Sequence, residues 1–384
     1  MLKKLLSIIL ILSIIMGTTL NVSAAESNSN TQFKPLSEIT TDELTTFALN
    51  FARDFEPTIT LDINEIIPIY NNGNTLIGFS ISYIFENRPY GYINLDFTKE
   101  NPVTEFSICE GAESLYDSLV MDISVERNYR ISEKRLYSIG FLQYAIPVKN
   151  NGESILHFSN GENAQLAMNI DDTVEAKYDS HSQLFSDSYA SGSLLDTREY
   201  TGKYNRGKSL ISEDYIEQQT GKYACAVVAL TEIANQEGIL KNSSIAATFN
   251  QLWADTGTTV SKVKDGITYG STKYINLGSA MKTYAKARGK SNTTATLKLS
   301  PEFSFFKGIV TSNASGLLTY TIELTNGKTI GHAVNMVGYC VARLNGVFSN
   351  YLIVADGWHD KVPKYINYST ADFASFQGVK YVIK

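Results

Sequence analysis

The chain is poor in cysteine. Only Cys109, Cys225 and Cys340 occur in 384 residues. That number excludes a small scaffold stapled by several disulfides, and in an exported protein it leaves an odd thiol to be flagged as reactive. Histidine is also scarce, with four residues, His157, His181, His332 and His359. No Cys/His cluster has metal-ligand spacing, and no glycine-rich phosphate loop or internal repeat occurs, so no metal or other cofactor is expected. No basic cluster is dense enough for nucleic acid, which excludes that class of partner. Beyond the first residues no run is apolar enough to cross a bilayer.

The chain does have a leader. Lys3 and Lys4, the apolar Leu5 to Met16, and the small-residue site Val22-Ser23-Ala24 give residues 1–25 the form of a signal peptide. Export to the exterior or cell surface is expected, with no membrane span once the leader is removed. The aromatic-rich remainder is long enough for two folded domains. Charge divides it: residues 25–207 hold 13 Lys and Arg against 27 Asp and Glu, a net of −14, whereas residues 208–384 hold 18 against 12, a net of +6. Complementary potentials of this kind favour docking of one domain on the other.

The N-terminal half reads as α+β, one helix against a twisted antiparallel sheet. Thr40 or Thr41 caps a helix that buries Leu44, Phe47, Ala48 and Phe51. Strands are expected at Glu65–Tyr70, Leu76–Phe85, Tyr90–Phe97, Ile139–Val148 and Glu153–Phe158. Cys109, His157 and His181 have no partners nearby in sequence and read as structural. Residues 179–210, rich in Ser, Asp and Gly, read as a connector open to nicking. The C-terminal half places helices first, near Cys225, from Ser243-Ser244 to Trp253, from Asn276 or Gly278 to a stop at Gly289, and after Ser300-Pro301-Glu302. Strands follow at Gly316–Leu324, Ile330–Arg343, Tyr351–Ala355 and Val379–Ile383, again a segregated α+β layout.

Cys225 stands where a polar, glycine-bearing run gives way to Val227, Val228, Leu230, Ile233 and Ala234, the spacing of a half-buried helix. A thiol at a helix N-terminus is expected to have a lowered pKa. Gln219 lies six residues upstream, and Gln218 is a second candidate amide donor. Downstream come Gly331-His332-Ala333-Val334 on a strand and Asp356-Gly357-Trp358 at the end of another. Acyl chemistry on a cysteine needs a thiolate, an imidazole base, a group to orient the imidazole, and donors for the oxyanion. All four residue types are present in one order, and Trp358 is placed to shield the His–Asp hydrogen bond.

From about Glu213 to Lys384 the chain resembles the papain-like cysteine peptidases of the secreted bacterial kind, near streptopain, staphopain and the double-glycine-peptidase-like proteins. The likeness rests on Gln219 and Cys225 with five residues between them, on Gly-His-Ala-Val followed by Val337-Gly338-Tyr339, and on Asp-Gly-Trp where papain has Asn-Ser-Trp. It implies Cys225 as nucleophile, His332 as base, Asp356 as orienting residue and Gln219 as oxyanion donor. It implies a papain-like catalytic domain at 211–384, acting on a peptide or protein substrate. The family's Cys-Gly-Ser-Cys-Trp pattern is absent here, replaced by Ala224-Cys225-Ala226. Pro89-Tyr90-Gly91-Tyr92-Ile93 resembles the propeptides of streptopain-like zymogens. That implies residues 26–178 as an inhibitory prodomain, with an activation cut in 179–210, near Arg206 and Lys208. Two rival readings use the same residues: a transglutaminase-like acyl transferase, disfavoured by the 107-residue separation of His332 from Cys225, and a catalytically silent secreted binding or adhesion protein. A Cys225–Cys340 disulfide would remove the enzyme reading. Cys340, on an apolar strand, reads as buried and inert, and His359 as a surface residue.

Overall fold

Thr40 opens the first helix of the computed structural model, which describes residues 36–124, 129–140, 142–158, 163–165, 195–204, 210–323, 329–344, 347–358, 363–371 and 373–384. Residues 1–25, where a signal peptide is expected, and His181, His359, Arg206 and Lys208 lie outside the described residues. Helix α1 (Thr41–Phe55) is fixed at its start by a reciprocal capping box. The Thr40 hydroxyl accepts from Glu43 N–H, and the Glu43 carboxylate accepts from Thr40 N–H.

Strands β1 (Asp62–Tyr70), β2 (Leu76–Phe85), β3 (Arg88–Asp96) and β4 (Val103–Ile108) follow as an antiparallel meander. Glu86 and Asn87, at φ 50° and 61°, make the two-residue turn between β2 and β3, a hand that matches the twist of the strands it joins. Helix α2 (Leu115–Ser124) precedes β5 (Tyr129–Ile131), β6 (Leu136–Gly140), β7 (Gln143–Asn150), β8 (Glu153–Phe158) and β9 (Asn163–Gln165). The single strand expected at 139–148 is thus two. Gly140 at φ 154° and Leu142 at φ 56° reverse the chain within an unbroken apolar alternation, so no polar turn residue announces it.

Strand β10 (Leu195–Tyr200) lies in the expected connector and pairs with the far end of β16 (Thr329–Leu344). Between them run α3 (Glu213–Thr220), β11 (Lys222–Tyr223), α4 (Cys225–Gln236), α5 (Ile245–Asp255), β12 (Thr259–Lys264), β13 (Ile267–Ser271), α6 (Leu277–Lys286), β14 (Thr294–Leu299), α7 (Phe303–Thr311) and β15 (Ser315–Glu323). The chain closes with β17 (Val347–Ala355), β18 (Lys364–Asn367) and β19 (Ser375–Val382). The arrangement is α+β, but the segregation expected for the C-terminal half is incomplete: the short strands β11 to β14 fall between its helices, β11, β12 and β13 forming a separate three-stranded sheet.

The main sheet is ordered β14-β19-β15-β16-β17-β18-β4-β3-β2-β1-β6-β7-β8-β9. Its central joint is β18, which pairs with β17 on one side and with β4 on the other, through Tyr365↔Phe106 and Ile366↔Glu105. Lys34–Lys384 accordingly fold as one unit. The buried face of α1 lies over this joint: Phe55 meets Phe106 edge-on at 4.8 Å and Tyr365 at 5.0 Å. Each such fully buried ring contributes about 1.5–3 kcal/mol of transfer free energy.

Helix α4 is the centre of the second core. The expected half-buried face is an underestimate, since every residue from Ala226 to Ala234 is buried. Leu317, Ala333, Val379 and Tyr381 of the sheet and Phe249, Leu252, Met281 and Tyr284 of α5 and α6 share one apolar cluster with it. A helix held between a sheet and other helices has no solvent face to keep polar. Among the described residues no helix is long and apolar enough to cross a membrane, and no group of His, Cys, Asp and Glu is placed to hold a metal ion.

Candidate active site

Cys225 is the first residue of α4. Its N-cap, Ala224, supplies no side-chain bond, so the first-turn N–H groups are left for other acceptors. The sulfur lies within reach of three main-chain N–H groups: its own, that of Ala226, and that of Ala333 across on β16. These donors favour the thiolate, as the sequence led one to expect. The residue keeps a half-buried surface, yet desolvation of the sulfur outweighs these donors and pushes the thiol up from 9.0 to about 11. The lowered pKa expected from the helix start is therefore not the state of this chain; desolvation wins.

His332 precedes Ala333 on β16, and only 5% of its surface is exposed. Its Nε2 lies 2.8 Å from the main-chain oxygen of Asp356. A carbonyl only accepts, so Nε2 carries the hydrogen and Nδ1 keeps the lone pair. Trp358 stacks on the imidazole with ring centres 4.2 Å apart and planes 11° from parallel. Tyr320, the ladder partner of His332 on β15, meets it edge-on at 6.0 Å. Burial lowers the His332 pKa to about 4, against the opposing pull of the Asp356 charge. Thiol and imidazole are both neutral here, and among the described residues no hydrogen bond joins them.

Asp356 is fully buried, just past β17. Its contact with His332 runs through the main chain. One carboxylate oxygen, Oδ2, lies 2.8 Å from Lys364 Nζ, and the other accepts from Trp358 N–H at 3.0 Å. Gly357, at φ 84°, makes the turn that folds Trp358 back over the histidine. Glu213 N–H donates to the Gly357 oxygen at 2.6 Å and ties the start of α3 to that turn. The Glu213 carboxyl, raised well above its usual range by burial and then by Glu217, neighbours the Tyr223 hydroxyl, which also reaches the Trp358 side chain.

The structure thus brings together the Cys225, His332 and Asp356 segments. Gln219 it places on the exposed side of α3, with no hydrogen bond to Cys225 or His332 among the described residues; Gln218 is exposed too. Cys225 and Cys340 are both free thiols, and Cys340 is buried and pushed up to about 12. Tyr320, Tyr223, Glu213, Lys364 and Glu105 are neighbours of the site that the sequence reading passed over. Lys364 alone left a trace: a lysine in the otherwise apolar run Val362-Pro363-Lys364-Tyr365-Ile366.

No protein-family model matches the chain, and no curated protein matches it. Among solved structures it is similar to the interpain A cysteine protease of Prevotella intermedia, at 13% identity and a TM-score of 0.26, over 38% of this chain. The match spans 56% of the length of that chain.

Proposed function

We propose that this protein is a cysteine endopeptidase of the papain-like kind, made as a zymogen and exported. The observation that carries the reading is the meeting of two strand segments with one helix start. Cys225 Sγ lies beside Ala333 N–H, one residue from an imidazole whose Nε2–H is committed to Asp356 and whose Nδ1 is left to act as base.

In the reaction, His332 Nδ1 takes the Sγ proton and the thiolate adds to the substrate carbonyl carbon. The oxyanion is held by main-chain N–H at the start of α4. Collapse breaks the C–N bond, and the imidazolium returns its proton to the leaving amine. Water, deprotonated by Nδ1, then hydrolyses the thioester and frees Cys225. Gln219, the donor implied by the resemblance, joins this set only if the end of α3 turns inward from its exposed place.

The zymogen reading draws on occlusion. His332 is 5% exposed and so covered from a peptide, while Cys225 keeps a half-buried surface. Gln143, at the start of β7 in the N-terminal half, is a near neighbour of Tyr320, whose ring meets His332. Residues 26–178 would act as the inhibitor of residues 211–384, and a cut between Tyr204 and Glu213 would lift it. The test compares the intact chain with one nicked in that segment, on a general protein substrate and with an irreversible thiol inhibitor. Hydrolysis and labelling of Cys225 should rise on nicking and vanish in Cys225→Ala. Hydrolysis by folded, nicked Cys225→Ala refutes the mechanism. Equal activity of the intact chain and of the nicked chain diluted until its two pieces part refutes the zymogen. Incorporation of an added amine in place of hydrolysis would make the protein an acyl transferase.

A further inference from the structure

Behind Asp356 lies a second charged group. Lys364, on β18, is 2% exposed, and its ammonium stands between two carboxylates: Asp356 Oδ2 at 2.8 Å and Glu105 Oε1 at 3.6 Å. Glu105 belongs to β4 of the N-terminal half, is itself 2% exposed, and accepts from the Tyr92 hydroxyl at 2.5 Å. The cluster sits at the ladder joint where β18 pairs with both β17 and β4. A lysine is not buried among apolar strands without return, because desolvating an ammonium is costly unless carboxylates surround it. Here the partner it contacts most closely is the residue whose main-chain oxygen holds His332.

We infer that Lys364 is a positioning residue for the catalytic histidine. Its ammonium and Trp358 N–H together occupy both oxygens of the Asp356 carboxylate, which leaves the main-chain oxygen of Asp356 to orient the imidazole. The inference deepens the peptidase reading, since it takes His332 as the base. Two consequences follow from the placement. The carboxylate is kept from forming a direct ion pair with His332, so the imidazole stays neutral and its Nδ1 lone pair stays available. Glu105 carries the same ammonium on its other side, so the N-terminal half takes part in setting the position of Asp356. Tyr320 and Cys225 are the other titratable groups that face His332, and Tyr92 from β3 and Tyr144 from β7 face the cluster at Glu105.

The experiment is a titration of His332 in the full chain by NMR of the imidazole C2–H, assigned by its disappearance in His332→Gln. It needs neither substrate nor hydrolysis, so its failure is distinct from failure of the peptidase reading, which labelling of Cys225 decides. In Lys364→Met the carboxylate is released, and the His332 midpoint should move up from about 4 by roughly one pH unit or more, the change expected when a carboxylate gains an imidazolium partner. Lys364→Arg, which keeps the charge, should hold the midpoint within a few tenths of a unit of the original. Should Lys364→Met not fold, Lys364→Met with Glu105→Gln removes one charge of each sign and serves in its place with the same upward shift. A midpoint unmoved by loss of the ammonium overturns the inference. So does an equal shift in Lys364→Arg, which would mark Lys364 as a packing residue only.

Discussion

The thiol of Cys225 sets a measurable expectation for the intact chain. Burial pushes it up from 9.0 to about 11. At pH 7 the thiolate fraction is then about 10⁻⁴, against about 10⁻² for the unperturbed group, roughly one hundredfold less nucleophile. The more basic sulfur recovers part of that loss. A Brønsted slope of about 0.4–0.5 over the same interval makes each thiolate about 6–10 times more reactive. The net expectation is alkylation about 10–20 times slower than a free cysteine peptide at pH 7. The assay is iodoacetamide labelling of the intact chain from pH 6 to 10, read at the Cys225 peptide by mass spectrometry. The logarithm of the rate should climb with unit slope through pH 10, without a plateau. A nicked chain that has opened should instead react fast and level off near neutrality. A plateau below pH 8 in the intact chain, or labelling faster than the free peptide, would refute the reasoning: the helix start and its N–H donors would then outweigh burial after all.

Other expectations follow from named contacts. His332 is depressed from 6.5 to about 4 in the folded chain, so the unfolded chain binds the extra proton between those values. The stability His332 allows is therefore full above pH 6.5 and falls by about 3 kcal/mol as pH drops to 4; chemical denaturation across this range should show His332→Gln losing that part of the slope. Trp358→Ala admits water to the ring it now stacks on at 4.2 Å, and the His332 midpoint should rise in the same NMR titration. Thr40→Ala breaks the capping box of α1 and should cost about 1 kcal/mol in a denaturant melt, with no change in Cys225 labelling. Gly91→Ala would place a Cβ 2.1 Å from the Ser107 oxygen at φ 131°. It should cost more than about 2 kcal/mol and lower the midpoint of the same melt.

The elements legible in the sequence were those with local punctuation. The α1 helix was marked by Thr40 and an apolar stripe, and the β2–β3 hairpin by the polar turn Glu86-Asn87-Arg88-Pro89. Cys225 was placed at a helix start because polar residues give way there to a 3.6-residue apolar period. What escaped were features made by packing. Helix α3 was hidden because Glu213-Asp214-Tyr215-Ile216-Glu217 offers one buried side chain, Ile216. Strand β10 was hidden in a Ser- and Asp-rich stretch, since a strand paired by its main chain needs no apolar alternation of its own. The ordering of Cys225, His332 and Asp356 was visible, but not that Asp356 would meet His332 through its carbonyl. That depends on Lys364, eight residues on, and on Glu105, which lies far away in the chain. The rise of the thiol pKa was likewise beyond a local reading, because a helix dipole is set by a dozen residues whereas desolvation is set by everything that folds around them.

The ladder joint at β18 has a consequence for what a cut would release. A chain nicked between Tyr204 and Glu213 becomes two polypeptides, yet β4 still pairs with β18 and β10 still pairs with β16, from Leu195↔Ala342 to Tyr200↔Gly338. The two pieces are then a heterodimer, and their parting is governed by mass action and not by the cut itself. Dilution after nicking, at a fixed amount of nicking protease, would tune the free fraction. Once parted, the C-terminal piece would carry the edge of β16 from Gly338 to Ala342, left by β10, and the edge of a four-residue strand, Lys364–Asn367. The β18 edge, that short and with a lysine at its start, is a poor template for pairing with a second copy.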